Sequence, residues 1–234
     1  MALQSWWAGL AGWSQQVLGV GAVALWLAAV VAAALGVRWL WPQQREWSRK
    51  LLHIGTGPVV LIAWALGIDR WIALPAAALV TLITALNHRF RLLPAIEDVG
   101  RASYGTVAYG AAITLLFGLF WPLHADAVAA GVLVMALGDG LAGLLGAAIP
   151  SWSWRVWGQR KSLLGTTTMA LVGLAVLLAL RAAIDLGSAE LPTASLAGIA
   201  VVATLLEQVA VLGLDNLSVP VITGLLWAWL AAQA

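Results

Sequence analysis

The sequence predicts an all-α, polytopic membrane protein, and three observations carry that reading. Of 234 residues, 62% are hydrophobic and only 9% charged. Apolar runs long enough to cross a bilayer as helices recur along nearly the whole chain. Nowhere do polar and apolar residues alternate with the period of two that a membrane barrel needs, and lipid leaves open backbone no other way to satisfy its hydrogen bonds. The longest polar connections span only about fifteen residues, so no soluble domain fits between the spans. The absence of cysteine excludes disulfides and thiolate metal sites.

Eight spans follow in order, at roughly 17–41, 53–68, 71–87, 104–121, 126–148, 165–184, 193–213 and 217–232. The first lacks basic residues before it and is followed by Arg38 and Arg45, so it is expected to stay as a span and not to be cleaved as a signal. The second and third are short and divided only by Asp69 and Arg70, which leaves a count of seven open. Before them, Trp6, Leu10 and Trp13, continued by Val17, recur at helical spacing, so residues 1–16 read as an interfacial segment and 17–234 as one transmembrane domain.

Charge placement orients these spans. Of the twelve Lys and Arg, all but Arg70 and Arg181 fall on one face: Arg38, Arg45, Arg49 and Lys50 in the first connection, Arg89, Arg91 and Arg101 in the third, and Arg155, Arg160 and Lys161 in the fifth. The positive-inside rule makes that face cytoplasmic and puts the N-terminus outside. Most of the Trp, including Trp39, Trp41, Trp121, Trp152, Trp154, Trp227 and Trp229, fall near span ends, where amphipathic rings settle at headgroup level.

Two acids lie inside spans, Asp139 in the fifth and Glu207 in the seventh. A carboxylate at bilayer depth costs about 2.5–3.5 kcal/mol even on lenient insertion scales, so each is a functional candidate. At 1.5 Å per residue Asp139 sits roughly 14 Å, and Glu207 about 9 Å, below the cytoplasmic span ends. Asp139, Gly143 and Gly146 share one helical face, which with Gly140 admits either a neighbouring helix or a ligand.

The cytoplasmic connections add complementary groups. In "WGQRKSLLGTTT", Arg160 and Lys161 precede Ser162, an N-cap, with Gly165 and Thr166 in the first turn of the sixth span. A helix start flanked by cations is an anion site, although the Walker A pattern is missing. "RKLLHIGTG" puts Arg49, Lys50 and His53 on one side of a helix start. "LDNLSVP" supplies Asp215 and Asn216 before Pro220, as caps or as ligands, and Arg101, Tyr104, Thr106 and Tyr109 give the fourth span a polar edge. Carboxylates with an Asn suit Mg²⁺, cations and a helix start suit phosphates, and an apolar cleft suits a lipid alcohol. The combination points to phosphoryl or nucleotidyl transfer from a nucleoside triphosphate to a substrate dissolved in the lipid bilayer, with no nucleic acid involved.

These pieces resemble, in order, the motifs of the membrane-embedded, CTP-using lipid alcohol kinases, which include phytol, farnesol and dolichol kinases. The matching residues are Arg49-Lys50-x-x-His53, Gly138-Asp139-Gly140-x-Ala142 with Gly146, Lys161-Ser162-x-x-Gly165-Thr166, and Glu207 followed by Asp215-Asn216-x-x-x-Pro220. The short chain is most similar to the phytol kinase branch. That resemblance implies transfer of the terminal phosphoryl of CTP or UTP to phytol or a related prenol such as farnesol or geranylgeraniol, as tocopherol biosynthesis requires, with Mg²⁺. It also implies a bacterial inner membrane or a thylakoid-type membrane. One departure is Gly143, where many relatives carry a second acid.

The expected roles are these. Asp139 with Asp215 or Asn216 holds Mg²⁺ on the phosphates. Arg49, Lys50, Arg160, Lys161, Ser162, Gly165, Thr166 and Asn216 hold the nucleotide. Glu207 or His53 takes the proton of the alcohol. Gly140, Gly143, Gly146, Tyr104 and Tyr109 line the prenol groove. Rival readings are a cytidylyltransferase making a CDP-lipid and an ion-coupled transporter, which would need polar groups leading to both faces.

Overall fold

A computed structural model describes residues 12–90, 104–184 and 191–233. Among them the chain forms helices α1 (Gly12–Leu40), α2 (Arg45–Thr56), α3 (Val59–Ala65), α4 (Arg70–Phe90), α5 (Gly105–Phe120) and α6 (Ala125–Ala148). A two-stranded ribbon, β1 (Ser153–Val156) and β2 (Gln159–Ser162), then leads into α7 (Leu163–Ala183), α8 (Thr193–Val209) and α9 (Asp215–Ala231). The all-α class holds. Four helices, α1, α4, α6 and α7, are long and apolar enough to cross a membrane.

Helix α6 is the axis of the molecule. Ala127, Val128, Ala129, Ala130, Val134, Met135 and Ala136 have no exposed surface, because α5, α7 and α9 pack around it with α2 and α3. Lipid tails are as apolar as these side chains, so the helices associate through close packing and not through exclusion from water. The sequence meets that demand with glycines. A Cβ on Gly224 of α9 would lie 2.9 Å from the Ala127 carbonyl oxygen, and one on Gly131 of α6 would meet the Pro220 carbonyl more closely still. Helices α1 and α4 stand at the periphery with most of their apolar side chains exposed, as lipid-facing helices should.

Several elements differ from the sequence reading. The stretch expected as one span at 53–68 is two helices, α2 and α3, separated at Gly57 and Pro58, where proline removes a backbone donor. Residues 12–16, assigned to an interfacial segment, are already part of α1. There Gln16 donates to the Gly67 carbonyl (3.0 Å) and accepts from the Asp69 amide (3.0 Å), tying α1 to the turn before α4; Trp6 and Leu10 lie outside the described residues. Trp121 and Trp227, expected at headgroup level, are buried. Trp121 donates to the Ile68 carbonyl (2.8 Å) and Trp227 to Asp126 (2.8 Å).

The ribbon is the other unforeseen element. Its register sets Trp154 opposite Lys161 and Arg155 opposite Arg160, and its two-residue turn holds Trp157 at φ 49° and Gly158 at φ 79°. Positive φ at both positions belongs to a type I′ turn, which favours Asn-Gly. A left-handed backbone costs a residue with a Cβ roughly 1–2 kcal/mol, and here the residue is tryptophan.

Candidate active site

The site forms where α2, α6, β2, α8 and α9 converge, and the geometry of α6 decides where its acid points. The six residues Val134–Asp139 form a π-helical turn inside α6, ending on Asp139. Such turns insert one residue into the helical period and concentrate at functional sites. The Asp139 side chain is 13% exposed and meets Lys50 of α2, whose Nζ donates to Oδ2 (2.6 Å) and to the Asp139 carbonyl (3.0 Å). Lys50 reaches it because Gly143 leaves room for the lysine stem. A Cβ there would stand 2.5 Å from Lys50 Cε and 2.8 Å from Nζ.

One helical turn further along α2, His53 Nε2 lies 3.3 Å from the Met135 carbonyl and 3.4 Å from Asp139 Oδ2. Both neighbours accept, so the proton belongs on Nε2 and Nδ1 keeps its lone pair. The His53 ring lies against Tyr109 of α5, tilted by 42° with centroids 4.5 Å apart.

A second cation and acid mirror this pair. Side chains alternate along β2, so Lys161 turns inward while Arg160 is exposed on the opposite face. Lys161 Nζ donates to Glu207 Oε1 (2.5 Å) and to the Glu207 carbonyl (2.7 Å) at the end of α8. Gln208 then donates through Nε2 to Glu207 Oε2 (2.8 Å) and to Thr166 Oγ1 (2.9 Å). Both Glu207 oxygens therefore carry donors. Gln208 Oε1 is buried without a partner. Nothing in the sequence singles out Gln208, a neutral side chain next to Glu207.

The third acid arrives with α9. Leu212 and Gly213, at φ 55° and 83°, turn the chain between α8 and α9, and Asp215 Oδ1 accepts from the Asn216 amide (3.0 Å) and side chain (3.1 Å). Carboxylate oxygens of Asp139, Glu207 and Asp215 all lie within 4.8 Å of one another. Burial raises the Asp215 pKa above the usual carboxylate range, and the Asp139 charge adds to the rise. Three acids against Lys50 and Lys161 gather a set of hard oxygen ligands with more carboxylates than ammonium groups. The donor set fits Mg²⁺.

The remaining expected residues divide. Ser162 caps α7, its Oγ accepting from the Gly165 amide (3.2 Å), and Thr166 donates to the Ser162 carbonyl (3.0 Å), so this helix start is built as expected. Arg49 pairs with Glu46 on its own helix (2.8 Å). Tyr104 is exposed and lies tilted against His88, apart from the buried Tyr109. Protein atoms fill the space beside the α6 glycines: Ile54 over Gly140, the Lys50 stem over Gly143, and Ser162 and Gly165 over Gly146. These glycines seat neighbouring elements where the sequence reading placed an open groove. Arg101 lies outside the described residues.

In comparisons with known proteins, the chain is similar to a phytol kinase of Synechocystis sp., with 39% identity over 213 residues that cover 91% of each chain. No family model matches it. No solved structure matches it.

Proposed function

The chain belongs to the phytol kinase family of CTP-dependent prenol kinases, and from that premise we propose that it transfers the terminal phosphoryl of CTP, or of UTP, to the hydroxyl of a membrane-dissolved prenol, with phytol first among its substrates. The observation that carries the reading is the cluster of Asp139, Glu207 and Asp215 within 4.8 Å, flanked by Lys50 and Lys161. In this reading the eight-span topology puts the cluster on the cytoplasmic side, where the nucleotide is, with the N-terminus outside.

Asp139 Oδ1 and Asp215 Oδ2 are the oxygens of the cluster that no described residue bonds, so they would hold Mg²⁺, beside a Glu207 held by Lys161 and Gln208. Bound there, the ion would neutralise phosphate charge and align the phosphoryl group for in-line attack. Phosphoryl transfer asks chiefly for positioning and charge stabilisation, which Lys161 and the capped start of α7 provide. Asn216 fixes Asp215. Glu207 has both oxygens occupied by donors, whereas His53 presents an uncommitted Nδ1 and is held through Nε2 by Asp139. His53 is therefore the better acceptor for the proton of the alcohol.

The test is purified protein in detergent with phytol, labelled CTP and Mg²⁺, followed by lipid extraction. Phytyl phosphate and CDP are the expected products. Release of pyrophosphate would mean a cytidylyltransferase, and no prenyl phosphate from phytol, farnesol or geranylgeraniol would overturn the kinase reading.

A further inference from the structure

Three features of the β1–β2 ribbon lie outside the acid cluster. Arg155 and Arg160 stand directly opposite each other on its outward face, both exposed. Like charges in facing positions repel, and no described acid pairs with either guanidinium. At the tip, Trp157 is 76% exposed and held at positive φ, where asparagine or glycine would relieve the backbone. A backbone outlier whose side chain is largely open to the outside points to a contact beyond its own fold. At the base, Trp152 is 74% exposed beside Trp154. An exposed ring at the tip and two guanidiniums that no described acid pairs, on a bundle whose apolar helices are long enough to span a membrane, match the layering of a phospholipid surface: the ring at the acyl boundary and the guanidiniums at the phosphates.

We propose that the ribbon is a docking surface for anionic phospholipid headgroups, in which Arg155 and Arg160 share a headgroup phosphate and Trp157 enters the interface. The ribbon is tied to the site. The Leu163 amide donates to the Trp152 carbonyl (2.8 Å), the Leu164 amide to Ser151 Oγ (3.2 Å), and β2 carries Lys161 to Glu207. Headgroup docking thus fixes the strand that positions Lys161.

The chain has no cysteine, so Trp157→Cys labelled with an environment-sensitive dye reports on the tip alone. The full protein is placed in nanodiscs of brominated phosphatidylcholine, with or without phosphatidylglycerol. Quenching is expected in both and is stronger with phosphatidylglycerol, and Arg155→Gln with Arg160→Gln abolishes the difference. Each Arg near an anionic surface contributes about fivefold to occupancy. A dye that is not quenched, or a phosphatidylglycerol effect that survives loss of both arginines, overturns the proposal. So does a dye response to CTP that requires the two arginines, which would assign them to the nucleotide. Trp157→Asn is expected to keep or raise Tm; a fall would mean that the ring serves folding. None of these readings needs turnover, so they stand or fall independently of the kinase activity.

Discussion

At the scale of single residues, each acid of the site has a stated partner, and charge and shape make separable contributions. Asp139→Asn keeps the shape and removes the charge; we expect prenol phosphorylation to fall by about 10²-fold or more, as for other groups that stabilise developing charge, with Tm held within a few degrees. Full activity in this variant would remove Asp139 from the metal set. Lys50→Met has a different signature, because it leaves a buried carboxylate unpaired at a cost of about 3–5 kcal/mol. Urea or thermal unfolding should register that loss, and adding Asp139→Leu should restore stability but not activity. Asp139 and Glu207 were legible in the sequence because a carboxylate at bilayer depth demands an explanation. Their partners were visible only as cations on the right side, since nothing in linear spacing pairs Lys50 with a residue 89 positions away. Gln208 was illegible because a neutral amide carries no such penalty.

At the scale of elements, glycines set the distances. Gly143→Val would push the Lys50 stem aside without touching the backbone around Asp139. We expect the Lys50–Asp139 contact to open and activity to fall by about tenfold, the equivalent of one lost charge-assisted hydrogen bond, while Tm changes less than in Lys50→Met. Equal losses of Tm in the two variants would mean that Gly143 is a general packing position. The long helices were readable from unbroken apolar runs. The π-helical turn was not, because "VMALGD" has the same composition as an α-helical stretch and only the hydrogen-bond pattern distinguishes them. The ribbon was missed for another reason: "SWRV" and "QRKS" are four residues each, too short for alternation to declare itself, and they are joined by Trp-Gly where a reader looks for Asn-Gly.

At the scale of the whole molecule, orientation is the quantity to measure. Because the chain has no cysteine, Ser153→Cys at the ribbon and Leu123→Cys at the far end each give a single label site. In intact cells an impermeant maleimide should label Leu123→Cys at once and Ser153→Cys only after the membrane is opened; the reverse pattern would invert the topology. Membrane class and helical architecture were legible from composition because lipid permits few solutions. The burial of Trp121 and Trp227 was not, since tryptophan near a span end satisfies the aromatic-belt expectation whether it faces lipid or core.

The buried axis of α6, with Asp139 enclosed within the bundle and α1 and α4 carrying mostly exposed apolar side chains, has a kinetic consequence. An acceptor alcohol that reaches this enzyme travels in two dimensions, by lateral diffusion within the leaflet. Its encounter rate then scales with mole fraction in the lipid and not with bulk molarity. Adding inert phospholipid at constant total phytol should slow the reaction by surface dilution, whereas adding buffer should not.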